Sequence, residues 1–380
     1  MKKCVIALAA TIVAASVVAV ASGAQTNSYA VHNLVSDIPG AAATTDPNLV
    51  NAWGLAASST SPWWVADNGS DMTTVYDASG NPFPPASPIV VQVASAPSGA
   101  VANPGSNFVV GSGSASGPAR FLFATEDGTI LGWNPTASPT QALVAVPATD
   151  GAVYKGLTLA NGDTLYATDF HNAKVDVFDG NFNPMTTSGA FVDPHMKAGF
   201  APFGIQNIGG TIFVSYAKQD AAGHDDVAGQ GLGFVDAYDT NGVFLGRVAT
   251  RGQLNSPWGL AQAPADFGRF SGDLLVGNFG NGKINAYAPR RHGSHRHVGE
   301  LKQERHGSHG HVRKLEQGRH GLFTHVGQLR GPGHKPIVID GLWALQFGFG
   351  AANNGPTNTL FFTAGPNGES DGLFGSITAG

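Results

Sequence analysis

The chain has 380 residues, of which 42% are hydrophobic and only 12% charged, with a formal net charge of −5, 52 glycines, 23 prolines and one cysteine. High hydrophobicity with low charge excludes a disordered chain, and the density of glycine and proline excludes long helices. The lone cysteine, Cys4, excludes a disulfide framework, a thiolate metal site and a cysteine nucleophile in the body of the chain.

The first 24 residues read as an export signal. Lys2 and Lys3 precede an apolar run from Cys4 to Val20, with small-residue cleavage sites at Ala19-Val20-Ala21 and Ser22-Gly23-Ala24. No other stretch is long and apolar enough to span a bilayer. The expectation is therefore an exported protein, periplasmic or extracellular, with no membrane span once residues 1–24 are removed. Residues 25–380 are expected to form one domain and to act as a monomer.

A short phrase then organises the chain. Ala52-Trp53-Gly54-Leu55-Ala56 returns as Pro257-Trp258-Gly259-Leu260-Ala261, and more loosely as Lys155-Gly156-Leu157-Thr158, Pro202-Phe203-Gly204-Ile205 and Leu342-Trp343-Ala344-Leu345. Each copy precedes an apolar strand, a polar turn and a strand ending in an aromatic. The first such pair is Trp63-Trp64-Val65-Ala66-Asp67 running to Tyr76. The others are Phe121-Leu122-Phe123 to Trp133, Thr164-Leu165-Tyr166 to Phe178, Ile212-Phe213-Val214 to Tyr238, Leu274-Leu275-Val276 to Tyr287, and Leu360-Phe361-Phe362 to Phe374. Gly54 and Gly156 are 102 positions apart, or two units, with the second unit expected to open near Phe108-Val109-Val110. Short strands at this period match the blades of a propeller. The prediction is an all-β, six-bladed β-propeller. Tyr29 to Leu34 precedes the first repeat and is expected to complete the last blade, closing the ring and covering an exposed edge.

One interval is too long. Between Gly259 and Ala344 lies Arg290 to Lys335, a His/Arg-rich insertion with a net charge of +7 against −12 for the remainder. It contains three copies of a 14-residue unit, marked by His292, His306 and His320 and by Leu301, Leu315 and Leu329. The last copy resembles the outer-strand stretch Gly242 to Val248. This points to local triplication of the fifth blade's outer strand. His292, His295, His297, His306, His309 and His311 are candidate transition-metal ligands through imidazole. Arginines here interleave with histidines rather than aromatics, so no nucleic-acid partner is expected.

In a four-stranded blade, the turn after the second strand and the link into the inner strand fall at the same end. That end gathers Asp67, Asn68, Asp127, Asn172, Lys218, Asp220, Asn278 and Asn367 as a ligand-binding face, with Asn51, Asn255 and Asp340 on the links. Its oxygen-rich side chains suit calcium or a polar ligand. The same residue types also serve tight turns, so both readings stand. Six-bladed lactonases and phosphotriesterases hold calcium in the central channel, where it polarises an ester or phosphoryl oxygen. By that analogy Glu126, Asp169, Asn278 and Glu369 are the calcium candidates, with Glu126, Asp169 and His171 as candidate catalytic groups.

Several motifs resemble an uncharacterised family of exported bacterial proteins, some of which carry a C-terminal sorting tail. They are Asn51 to Ala56, Ala124 to Ile130, Tyr166 to Asp179, Ser256 to Ala261 and Phe362 to Glu369. The blades also resemble NHL-type repeats of six-bladed propellers. The resemblance covers about Tyr29 to Ile377 and implies a fold and a location but no reaction; the 290–335 expansion and the lack of a sorting tail depart from the pattern. The leading expectation is a binding module for a small polar ligand, glycan or protein, with no established cofactor. The alternative is a calcium-dependent hydrolase of esters, lactones or phosphoesters.

Overall fold

The computed structural model describes residues 27–290 and 321–380. The export-signal reading at 1–24 and the candidate ligands His292, His295, His297, His306, His309 and His311 lie outside the described residues.

Six blade sheets stand around one axis, their strands antiparallel except for Thr44–Thr45, which pairs parallel with Tyr29–Ser36. The first blade runs outward through Ala52–Ala56, Trp63–Asp67, Met72–Tyr76 and Val90–Gln92. The fourth follows the same plan from Phe200–Ile208 to Phe244–Thr250, and the fifth from Pro257–Gln262 to Phe323–Gln328. The third has three strands, Tyr154–Ala160, Thr164–Asp169 and Lys174–Phe178. Each inner strand packs beside the next, and the sixth beside the first.

Ring closure follows the sequence reading. Leu342–Phe347, Leu360–Ala364 and Leu373–Ala379 form the sixth blade, and Tyr29–Ser36 pairs antiparallel with Leu373–Ala379 as its outer strand. The third 14-residue copy also lies where expected. Phe323–Gln328 pairs with Ile284–Pro289 as the outer strand of blade five, and Leu329 just beyond it is fully buried.

The second blade keeps the count of six but corrects the point at which its repeat opens. Its inner strand is Pro97–Ala102, not the region near Phe108. Val109–Ser112 instead pairs with Ala115–Pro118 in a hairpin inserted before the second strand, Phe121–Thr125. Ser98 takes the place that Trp53 holds in the phrase, so the aromatic signal disappears while Gly99 keeps the glycine. Ser98 is buried and donates its hydroxyl to the Tyr154 carbonyl of the next blade at 2.6 Å.

The phrase glycine is set by the approach of neighbouring blades. A Cβ on Gly54 would lie 2.6 Å from the Ser98 carbonyl oxygen, and one on Gly259 2.6 Å from that of Trp343. Gly99, Gly156 and Gly204 face the following inner strand in the same way. Only a residue without a side chain permits backbones to come this close. Thr168 reinforces the contact by donating to the Phe203 carbonyl at 2.7 Å, and Thr363 donates to that of Trp53 across the closing seam.

Candidate functional site

The axis is filled with aromatic rings. The phrase position contributes Trp53, Phe203, Trp258 and Trp343, and turns add Phe170 and Phe279. Trp343 stacks on Trp53 at a centroid distance of 3.7 Å and on Phe279 at 4.0 Å. Trp258 and Phe203 meet Trp343 edge-on at 6.1 and 5.8 Å. Stacked and edge-to-face contacts of this kind make a tight apolar plug.

At one end of this plug sits Lys155, which takes the phrase's Trp position in blade three. The residue is 1% exposed. Its ammonium donates to Glu126 Oε1, lies 3.5 Å from Asp225 Oδ1, and stands 5.1 Å from the centre of the Trp53 ring. A carboxylate and an aromatic face together compensate a cation that burial would otherwise disfavour. The Lys155 carbonyl accepts from Trp258 Nε1 at 3.1 Å, which ties its backbone to the plug.

A polar chain extends from this pair around the axis. Asn68 Nδ2 donates to Glu126 Oε2 at 2.9 Å, and Asn51 Nδ2 donates to Asn68 Oδ1 and Glu369 Oε2, both at 3.1 Å. Trp343 Nε1 donates to Asn51 Oδ1 at 3.0 Å. The network thus joins blades one, two, three and six, with Asp225 added by a loop of blade four. Asn51 and Glu369 both hold left-handed backbones, with φ of 47° and 68°. Asparagine tolerates this region, whereas glutamate rarely enters it unless its surroundings impose it.

Burial raises the Glu369 carboxyl above its ordinary value, and the negative charge of Glu126 adds to this while Lys155 opposes it. Asp226 is likewise raised by burial. Burial also acts on Asp225, but the His224 hydrogen bond and the Lys155 ammonium outweigh it and hold that carboxyl low. His224 Nδ1 lies 2.9 Å from Asp225 Oδ1, and Glu126, His224 and Asp225 each place a ligand atom within 4.8 Å of the others. The site is an acceptor-rich rim around one internal cation.

Of the expected residues, Glu126, Asn68 and Glu369 converge here with the link residue Asn51. The expected calcium set does not assemble. Asp169 is buried inside blade three, where it accepts from the Asn172 backbone and side chain at 3.1 and 2.8 Å. Asn278 is buried inside blade five and donates to the Gln253 carbonyl at 2.8 Å. Both cap turns of their own blades, and the Lys155 ammonium lies between the carboxylates of Glu126 and Asp225. The donors therefore do not fit a calcium ion in this arrangement. His171 is exposed beside Gly151 and Gly223 and makes no hydrogen bond to Glu126.

The remaining face residues divide by burial. Asp127, Asn172, Lys218 and Asn367 are exposed, while Asp220 is half-buried and accepts from the His224 backbone at 2.9 Å. Asp67 is not on the face at all. It is fully buried and neither of its carboxylate oxygens has a hydrogen-bond partner among the described residues. Its cross-strand neighbour is Met72, whereas Asp169, at the equivalent place in blade three, faces Lys174. Burial drives the Asp67 carboxyl well above its ordinary value; the nearby Thr74 hydroxyl opposes this and the charge of Asp46 adds to it.

Lys155, Asp225 and His224 were not among the expected site residues. The signal for Lys155 was present, as a charged residue in the aromatic position of a repeated phrase. Asp225 and His224 lie in a loop 70 and 69 residues further on, and no local pattern marks them.

No protein-family model matches the chain. Among solved structures, a gluconolactonase from Xanthomonas campestris has a TM-score of 0.45 and 15% identity, covering 81% of this chain and 79% of its own. Virginiamycin B lyase from Staphylococcus aureus has a TM-score of 0.44 and 13% identity, covering 92% and 98%. Relatives by sequence include proteins of a giant virus. Uncharacterized protein L690 of Acanthamoeba polyphaga mimivirus is 34% identical over 271 residues, which is 68% of this chain and 71% of the relative. Uncharacterized protein R648 of the same virus is 32% identical over 359 residues, covering 92% of this chain and 80% of the relative. With that extent of shared sequence, the chain belongs to the same family as the mimivirus protein R648.

Proposed function

We propose that this propeller is a binding module, exported by the segment at 1–24, that presents the acceptor-rich rim at its axis to a polar ligand, glycan or protein surface. The observation that carries the reading is Lys155. Its ammonium is clamped between Glu126 and Asp225 over the Trp53 ring, with stacked aromatics filling the axis behind it. A group approaching the rim meets Glu126, Asp225, His224 and Glu369. Carboxylate acceptors outnumber the single cation, so the rim favours a partner rich in hydrogen-bond donors, such as sugar hydroxyls or an amine.

The alternative, a calcium-dependent hydrolase of esters, lactones or phosphoesters, draws on the proximity of Glu126, His224 and Asp225. It requires Lys155 to vacate the cage. The test pairs two assays on the mature protein. The first measures binding to a neutral-glycan array and to an oligolysine peptide, for wild type and Glu369→Gln. The second measures hydrolysis of a lactone and a phosphotriester with calcium and with chelator. Saturable binding to either probe that weakens in Glu369→Gln, without turnover, is expected. Chelator-sensitive turnover lost in Glu126→Gln would establish the hydrolase instead.

A further inference from the structure

Far from the axial rim, an open cleft of about 500 Å³ lies on the outer flank of blade five. Its walls come from four places in the chain. Arg269 stands on the Gly268–Phe270 turn, and His325 and Gln328 on the outer strand Phe323–Gln328. Arg330 and His334 follow that strand, and Asn27 lies just before the closing strand. All four titratable side chains in the lining are basic, and no carboxylate lines it among the described residues. The chain as a whole is acidic, at −5, so the sign of this cleft runs against the molecule around it.

The walls are held in place. Arg330 Nη1 donates to the His334 carbonyl at 2.6 Å, which fixes the guanidinium against its own turn. The Arg330 backbone N–H donates to Asn27 Oδ1 at 3.1 Å, and Asn27 Nδ2 donates to the Gln328 carbonyl at 3.0 Å. His325 packs edge-on against Tyr287 at 5.3 Å. Neither Arg269 nor Arg330 forms an ion pair among the described residues. Burial lowers the His325 imidazole below its ordinary value, so the two guanidiniums carry the fixed charge of the cleft.

We infer that this cleft is an anion site for a tetrahedral oxyanion, phosphate or sulfate, either free or as an ester on a sugar. Guanidiniums bind such oxygens with paired, charge-assisted hydrogen bonds. The imidazoles and the side-chain amides of Gln253 and Gln328 supply further donors at the rim. Nothing in this inference depends on the axial rim, because the two sites share no residue.

The test is calorimetric titration with inorganic phosphate, inorganic sulfate and glucose 6-phosphate, against sodium chloride at matched ionic strength. Saturable binding of at least one oxyanion is expected, with a loss of about tenfold in affinity in Arg269→Gln and in Arg330→Gln. Arg120→Gln, on blade two, should bind as wild type. Binding of the sugar phosphate but not of the free ions identifies an ester site, and the reverse identifies a free-anion site. Heats no different from chloride, or binding unchanged in Arg269→Gln, would overturn the inference. Arg269 is on an exposed turn, so that variant remains informative if Arg330→Gln does not fold.

Discussion

Replacing Lys155 by methionine keeps the volume of the side chain and removes its charge. In the wild-type site the Lys155 side chain is 2% exposed and that of Glu126 14%, so solvent screens little of their attraction. Removing one partner of such a buried pair leaves an uncompensated charge and costs about 3–5 kcal/mol. The Asp225 side chain is 69% exposed, so its share is a surface interaction of about 0–1 kcal/mol. Lys155→Met should therefore destabilise by about 3–5 kcal/mol, which for a domain of this size lowers Tm by roughly 4–7 °C. Neutralising the partner should recover most of this, since a neutral pair of similar volume often replaces a buried ion pair at little cost. The assay is denaturant unfolding of wild type, Lys155→Met, Glu126→Gln and the double variant. An unchanged midpoint in Lys155→Met, or a double variant no more stable than the worse single one, would refute the reasoning.

Gly259→Ala should destabilise by about 1–3 kcal/mol or more, the scale of overpacking a close contact, because its Cβ would press on the Trp343 carbonyl at 2.6 Å; denaturant midpoints check this. Asp67 has a raised carboxyl in the fold, so its contribution to stability is complete below its unfolded value of about 4 and is lost as pH rises through the folded value. Asp67→Asn removes that loss, and its advantage over wild type in unfolding free energy should grow as pH rises above about 4, reaching about 1–3 kcal/mol; a difference independent of pH would count against it. Deleting 291–318 leaves the third 14-residue copy to form the outer strand of blade five, and stability should stay within about 2 kcal/mol of wild type, the loop-closure scale for that change in length. Loss of the cooperative transition would contradict the triplication reading.

The blades were legible because each strand carries its own apolar run and each repeat its own turn. The closing strand was legible because Tyr29 to Leu34 stood outside any complete unit. The inner strand of blade two was misplaced for a local reason: Ser98 replaces the aromatic, and its hydroxyl bond to Tyr154 belongs to the neighbouring blade. The site was harder to read. Asp67, Asp169 and Asn278 occupy the same turn position in alternate blades as Glu126 and Glu369 nearly do in others, and residue type alone does not separate capping from convergence. What separates them is whether the side chain turns back into its own blade or across the axis. Lys155 stood in plain view within a repeated phrase, but its partners are 29 and 70 residues away and meet it only when the ring closes.

The most direct measurement is calorimetric titration of calcium into wild-type protein and Lys155→Ser. If the Lys155 ammonium fills the carboxylate cage, wild type gives no saturable calcium heat below millimolar concentration, while Lys155→Ser, with Glu126 and Asp225 freed, binds one calcium. Tight stoichiometric calcium binding by wild type, lost in Glu126→Gln, would contradict it.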